Sequence, residues 1–162
     1  MKKTKRRMAA ITGMLLVSSL SASASYAHAR TISAIHARPI DTSDGANCYR
    51  WFPIDQSSSG LERMCPGASY VDLAVPIDTA GNKNVTVYAA RPTTQHVVSC
   101  NAFAVTKTGG YVPGSVVKLT TTGTTFSPLA LPAISVAAGG SLWVRCQMSQ
   151  GTRIMEVEVA NP

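Results

Sequence analysis

Charge and aromatic rings are both scarce in this sequence. Charged side chains make up 14% of its 162 residues and aromatic ones 6%, against about 25% charged in an ordinary soluble domain. A disordered or collagen-like chain is excluded as a description of the whole, because 45% hydrophobic residues supply enough apolar surface for a core. Close cysteine pairs of the C-x-x-C kind are missing, and beyond residue 29 only His36 and His96 carry an imidazole, which leaves no ligand set for zinc. Asp41, Asp44 and Asp55 lack the spacing of a calcium loop, so neither a metal nor any other cofactor is expected. A G-x-S-x-G elbow is absent too. No apolar run approaches the roughly 20 residues of a bilayer-spanning helix; Met8 to Leu20 covers 13.

What is present begins with a leader. The start MKKTKRR carries five cations, Met8 to Leu20 is mostly apolar, and Ser21 to Ala29 is rich in small residues, which is the three-part build of a secretory signal peptide. Ala22-Ser23-Ala24 and Ala27-His28-Ala29 both offer a small-x-small cleavage site. Cleavage after Ala29 is preferred, giving a signal peptide over 1–29 and one domain over 30–162 with no membrane span after cleavage. Loss of the leader leaves 10 basic against 8 acidic side chains, a balance of +2. The cations that remain are scattered singly, unlike the clusters that neutralise phosphates, so nucleic acid is set aside as a partner.

Cys48, Cys65, Cys100 and Cys146 all lie beyond the leader. An even count in an exported chain of this size predicts two disulfides and an oxidising compartment, either secreted or periplasmic. Three pairings are open. The preferred one joins Cys48 to Cys65, which flank one polar stretch, and Cys100 to Cys146, which sit in matching strand contexts.

Short runs rich in Val, Thr, Ile and aromatics, separated by Gly, Pro, Asn, Asp or Ser, predict about nine strands. They are Thr31–Ala37, Asn47–Phe52, Tyr70–Val75, Asn84–Ala90, His96–Thr106, Ser115–Thr121, Ala133–Val136, Leu142–Met148 and Ile154–Ala160. Turns are expected at Asp44-Gly45, Ser57 to Gly60, Gly81-Asn82, Gly109-Gly110, Pro113-Gly114, Gly123 and Gly139-Gly140. Helix has little support, since the long apolar stretch Leu129–Ala138 contains Pro132 and follows Pro128. Period-2 alternation turns Val85, Val87 and Ala89 to one side and Thr86 and Tyr88 to the other. The same rule sends Leu142, Val144, Cys146 and Met148 inward with Val98, Cys100, Ala102 and Ala104, and Trp143, Arg145 and Gln147 outward. In the last strand it sets Met155, Val157 and Val159 against Glu156 and Glu158. Strands of this kind bury their apolar faces by stacking, so an all-β, antiparallel β-sandwich of eight or nine strands is expected.

The elements Cys48-Tyr49-Arg50-Trp51, Cys65-Pro66, Val97-Val98-Ser99-Cys100 and Leu142-Trp143-Val144-Arg145-Cys146 resemble those of small exported four-cysteine proteins of Gram-negative bacteria. That resemblance covers most of the chain beyond the leader and implies a leader followed by one all-β domain. It implies no activity and no site residue.

Chemistry is sparse. A serine-hydrolase triad would have to use His36, near the chain's start, or His96, at the edge of a strand. A glycosidase pair could be drawn from Asp72 and Asp78 or from Glu156 and Glu158, although two glutamates on one strand face usually form its solvated side. Asn84-Val85-Thr86 matches a glycosylation sequon, but the leader reads as bacterial and the site lies within a strand. The reading therefore leans away from an enzyme and towards an envelope, surface or extracellular interaction role. Its alternative is a carbohydrate-binding module with Trp51, Trp143, Tyr88 and Arg145 as ligand residues, because exposed rings on a β surface stack against sugar faces. Against it stands a structural role for Trp51 as a cap on the core beside a disulfide and burial of Trp143 should the strand's phase shift by one. A small hydrolase, or a protease inhibitor presenting the Cys48 to Cys65 loop, is the further alternative. The expected partner is an extracellular protein or a glycan.

Overall fold

The computed structural model describes residues 29–40, 46–53 and 59–162. Residues 1–28 of the expected leader, Asp41, Asp44, Asp55 and the Asp44-Gly45 turn lie outside the described residues. Within them the chain forms twelve strands: β1 (Arg30–Ser33), β2 (Arg38–Pro39), β3 (Tyr49–Pro53), β4 (Ser59–Arg63), β5 (Ala68–Val75), β6 (Gly81–Arg91), β7 (Val98–Val105), β8 (Tyr111–Pro113), β9 (Val117–Lys118), β10 (Gly123–Val136), β11 (Ser141–Ser149) and β12 (Arg153–Ala160). Two 3-10 turns, Ala34–His36 and Ala46–Cys48, are the only helical elements among the described residues.

All pairings are antiparallel and fall into two sheets, as a sandwich requires. The first sheet runs β10-β6-β12-β4-β3, with β1 beside the end of β12; the second runs β2-β5-β11-β7-β8, with β9 beside the start of β7. Alternation along each strand supplies the core. Val85, Val87 and Ala89 of β6 and Leu129, Leu131, Ile134 and Val136 of β10 face Val71 and Leu73 of β5, Val98, Ala102 and Ala104 of β7, and Leu142, Val144 and Met148 of β11, all of them buried in one cluster. Each such Val, Leu, Ile or Met side chain contributes about 1.5–3 kcal/mol by leaving water.

Both disulfides join the expected partners. Cys100 and Cys146 stand directly opposite each other on β7 and β11, with Cα atoms 4.1 Å apart, so this bridge lies within one sheet and its sulfurs are sealed in the core. Cys48–Cys65 closes the open end of the β3–β4 hairpin.

Several expectations need correction, each for a local reason. Thr31–Ala37 is not one strand: Ser33 caps the 3-10 turn by accepting from the Ile35 amide, and the chain crosses there from the first sheet to the second. Met155 does not join the core. Ile154 pairs with Ala89 and Glu156 with Tyr88, so Met155 is the extra residue of a bulge and buried Ile154 takes the inward place. The predicted strand Ala133–Val136 is only the end of β10, which runs on through Pro128 and Pro132 because it is an edge strand whose register shifts between Leu131 and Ile134. Of the turn expected at Ser57 to Gly60, Ser59 and Gly60 belong to the start of β4 and Ser57 and Ser58 lie outside the described residues, while Gly81 and Gly123 open β6 and β10. Gly60 is there for space, since a Cβ on it would overlap the Phe52 ring. Strand β8 was not anticipated, and Ser115–Thr121 shrinks to the two residues of β9.

Candidate functional site

Register assembles the outer face of the second sheet into rows. One row reads Ala74, Trp143, Phe103 and Pro113 across β5, β11, β7 and β8. The next reads Arg38, Asp72, Arg145 and Asn101 across β2, β5, β11 and β7. Trp143 is outward, as the alternation requires: its neighbours Leu142 and Val144 are fully buried in the core.

The rings of the first row support one another. Phe103 lies nearly parallel to Trp143 at 6.3 Å between centroids and 12° between planes. Tyr111 of β8 lies against Phe103 at 5.3 Å, tilted by 46°. Arg145 sits over the same ring with its guanidinium carbon 5.4 Å from the centroid. Phe103 is thereby buried although it points away from the core, whereas Tyr111 stays exposed. The Trp143 indole N–H donates to Ser141 Oγ at 3.0 Å, which fixes the plane of the indole.

Arg145 is held by a two-point fork: Nε donates to Asp72 Oδ1 and Nη2 to Asp72 Oδ2, each at 2.8 Å. The hydrogen bond to Asp72 raises the Arg145 pKa above its already high ordinary value, against the opposing effect of partial desolvation. The guanidinium is a permanent, oriented donor beside the rings. Two shallow concavities flank Trp143. One, of about 330 Å³, is lined by Asp72, Phe103, Val105, Ser141, Trp143 and Arg145. The other, of about 460 Å³, is lined by Ile35, His36, Ala37, Arg38, Ala74 and Trp143. The 3-10 turn after β1 carries Ile35 and His36 to this rim.

Of the four ligand residues expected from the sequence, Trp143 and Arg145 share this face. Tyr88 is on the opposite outer face, where its hydroxyl donates to Glu158 Oε2 at 3.1 Å. Trp51 sits on the edge strand β3, 45% exposed and opposite Leu61. The neighbouring rings are engaged elsewhere: Tyr49 is buried under Arg63, and Phe52 stacks on Phe126 at 6.2 Å. Phe103, Tyr111 and Arg38 were missed. Phe103 was legible as outward from the phase of Cys100, but its meeting with Trp143 depends on the register of β7 against β11.

The acids weighed for glycosidase chemistry have partners of their own, Glu158 accepting from Tyr88. Asp72 is bonded to Arg145, and Asp78 to Arg30 at 2.6 Å. His96 Nδ1 lies 2.7 Å from Thr93 Oγ1, and His36 is exposed in its turn. Among the described residues no three His, Cys, Asp or Glu side chains group as a metal site, and no helix is long and apolar enough to cross a membrane.

No family model and no curated protein matches the chain. Solved structures do share its fold. The C-terminal family 6 carbohydrate-binding module of LamC, a marine laminarinase from Zobellia galactanivorans, is 11% identical, with a TM-score of 0.58 over 83% of this chain and 100% of that one. A family 6 module of Cellvibrio mixtus lichenase 5A, solved with cellotriose, is 12% identical at a TM-score of 0.55 over 82% and 97%. A family 35 carbohydrate-binding module from Paenibacillus barcinonensis is 15% identical at 0.53 over 82% and 99%. At such identities the likeness is one of architecture: the chain has the β-sandwich fold that these modules use.

Proposed function

We propose that this protein is an exported, non-enzymatic carbohydrate-binding module whose ligand lies on the outer face of the second sheet, across Trp143. The observation that carries the reading is the braced Trp143–Phe103–Tyr111 row beside the Arg145–Asp72 fork. A flat, immobilised indole offers an apolar surface to the C–H face of a sugar ring, and it loses little conformational freedom on binding because Ser141 and Phe103 already hold it. Arg145 supplies directional donors next to it, the mixture of apolar wall and few fixed polar groups that small-ligand sites use. The fold shared with carbohydrate-binding modules supports the same reading. Export to a secreted or periplasmic location is supported by two disulfides and by the composition of residues 1–29. An envelope or surface role is compatible with it, since a glycan is then the partner.

The test is a glycan array on the purified oxidised protein, followed by tryptophan-fluorescence titration of the hits. Trp143→Ala is expected to weaken binding by about tenfold or more, the usual effect of losing a central aromatic anchor. Absence of binding to any saccharide would overturn the reading, and undiminished binding by Trp143→Ala would remove it from this face.

A further inference from the structure

The two concavities beside Trp143 differ in charge. On the Arg145 side the guanidinium is neutralised by Asp72, both of whose carboxylate oxygens it occupies. Asp72 is also the register partner of Arg38 across β2 and β5, so one carboxylate stands between two arginines and bonds only the first. Among the described residues the Arg38 side chain has no hydrogen-bond or ion-pair partner, and it is exposed at the rim of the concavity it shares with His36, Ala74 and Trp143. Lys118 extends the same outer face one row further on, opposite Ser99. Among the described residues that face therefore presents Arg38, Arg145 and Lys118 against Asp72 alone, while Glu62, Glu156 and Glu158 are on the first sheet. An uncommitted guanidinium next to an apolar wall matches a ligand that has both a ring face and an anion.

We infer that the concavity between Trp143 and the Ile35–Arg38 segment is a subsite for an acidic saccharide, with Arg38 receiving a carboxylate or sulfate group while the sugar ring lies against Trp143. The inference rests on the carbohydrate-binding reading and narrows its ligand class. Arg38 forms a charge-assisted, two-point contact of the kind a guanidinium makes with a planar carboxylate. His36, on the same rim, provides a further hydrogen-bonding group.

The experiment is calorimetric titration of the full oxidised protein with matched pairs of oligosaccharides. Oligogalacturonate against its methyl ester tests the carboxylate; a sulfated galactan oligosaccharide against its desulfated form tests the sulfate. The charged member of at least one pair is expected to bind about tenfold more tightly than its neutral counterpart, the effect of one charge-assisted contact. Arg38→Gln is expected to bring that ratio close to one, and Arg38→Lys to keep part of it. Raising the salt concentration should weaken only the charged member. Equal affinities within both pairs, or a ratio unchanged in Arg38→Gln, would overturn the acidic subsite while leaving the carbohydrate reading in place. Binding to neither member of any pair, nor to any glycan on the array, would remove both.

Discussion

The two outer faces of this sandwich carry similar residues and use them differently. On the first sheet Arg50 and Arg153 converge on Glu62, at 2.7 and 3.5 Å, Tyr88 donates to Glu158, and Phe52 is covered by Phe126 on one side and Arg153 on another. Rings and charges there are turned towards one another. On the second sheet Phe103 plays the covered part and Trp143 is left between two concavities, with Arg38 uncommitted. Aromatic content alone therefore does not make a binding face. A ring is available to a ligand only when its neighbours brace it from one side and leave the other open.

The largest way to break this contrast is to remove the bridge that ties β7 to β11, the strands of Phe103 and Trp143. Replacing Cys100 and Cys146 by alanine is expected to cost on the order of 4 kcal/mol in denaturant unfolding, from loop closure across 46 residues. Replacing Cys48 and Cys65 is expected to cost about 3 kcal/mol across 17 residues, loosening the β3–β4 hairpin and sparing the Trp143 face.

The anchors sharpen the contrast next. Trp143→Ala should reduce saccharide affinity by about tenfold or more, while Tyr88→Ala and Trp51→Ala leave it within twofold or so because they lie on another face and an edge. A loss on Tyr88→Ala instead, read by the same titration, would transfer the site to the first sheet. Gly60→Ala is expected to destabilise the protein by roughly 1–3 kcal/mol, since the Phe52 ring must leave its place to admit the methyl group. Thermal unfolding would report the loss with saccharide binding retained.

The smallest expected effect is alkaline. The hydrogen bond to Glu158, then that residue's charge, desolvation and the charge of Glu156, raise the Tyr88 pKa above its ordinary 10.0. The folded protein thus keeps this proton to higher pH than the unfolded chain. The stabilisation is complete below about pH 10 and is lost as pH rises through the folded value. Tyr88→Phe should accordingly flatten the decline of melting temperature above pH 10, a comparison read by calorimetry at several pH values.

Much of the fold was legible because its signals are local. The phase of Leu142, Val144, Cys146 and Met148 needed only alternation, and matching phases on two strands favoured the pairing of Cys100 with Cys146 that the structure shows. The failures were also local in origin but nonlocal in resolution. Met155 follows the alternation of β12 on paper, and only the partner strand β6 shows that it is the extra residue of a bulge. Pro128 and Pro132 rightly argue against a helix, but the predicted strand Ala133–Val136 stops short of them, and only the edge position of β10 lets a strand run through both prolines. The candidate site was half legible: Trp143 and Arg145 were outward on one strand, but Phe103 and Tyr111 come from elsewhere in the chain and Arg38 from a strand that exists because the chain changes sheets.

By itself, then, the order of residues determined the strand-rich character and the inward phase of most strands, since each depends on spacing along a short segment, and it favoured one of three cysteine pairings without excluding the others. The tertiary structure decided which outward residues meet. Trp143 with Phe103, and Asp72 with Arg145 rather than Arg38, are consequences of cross-strand register and sheet order. These set distances between residues far apart in sequence, and no periodicity within a single strand encodes them.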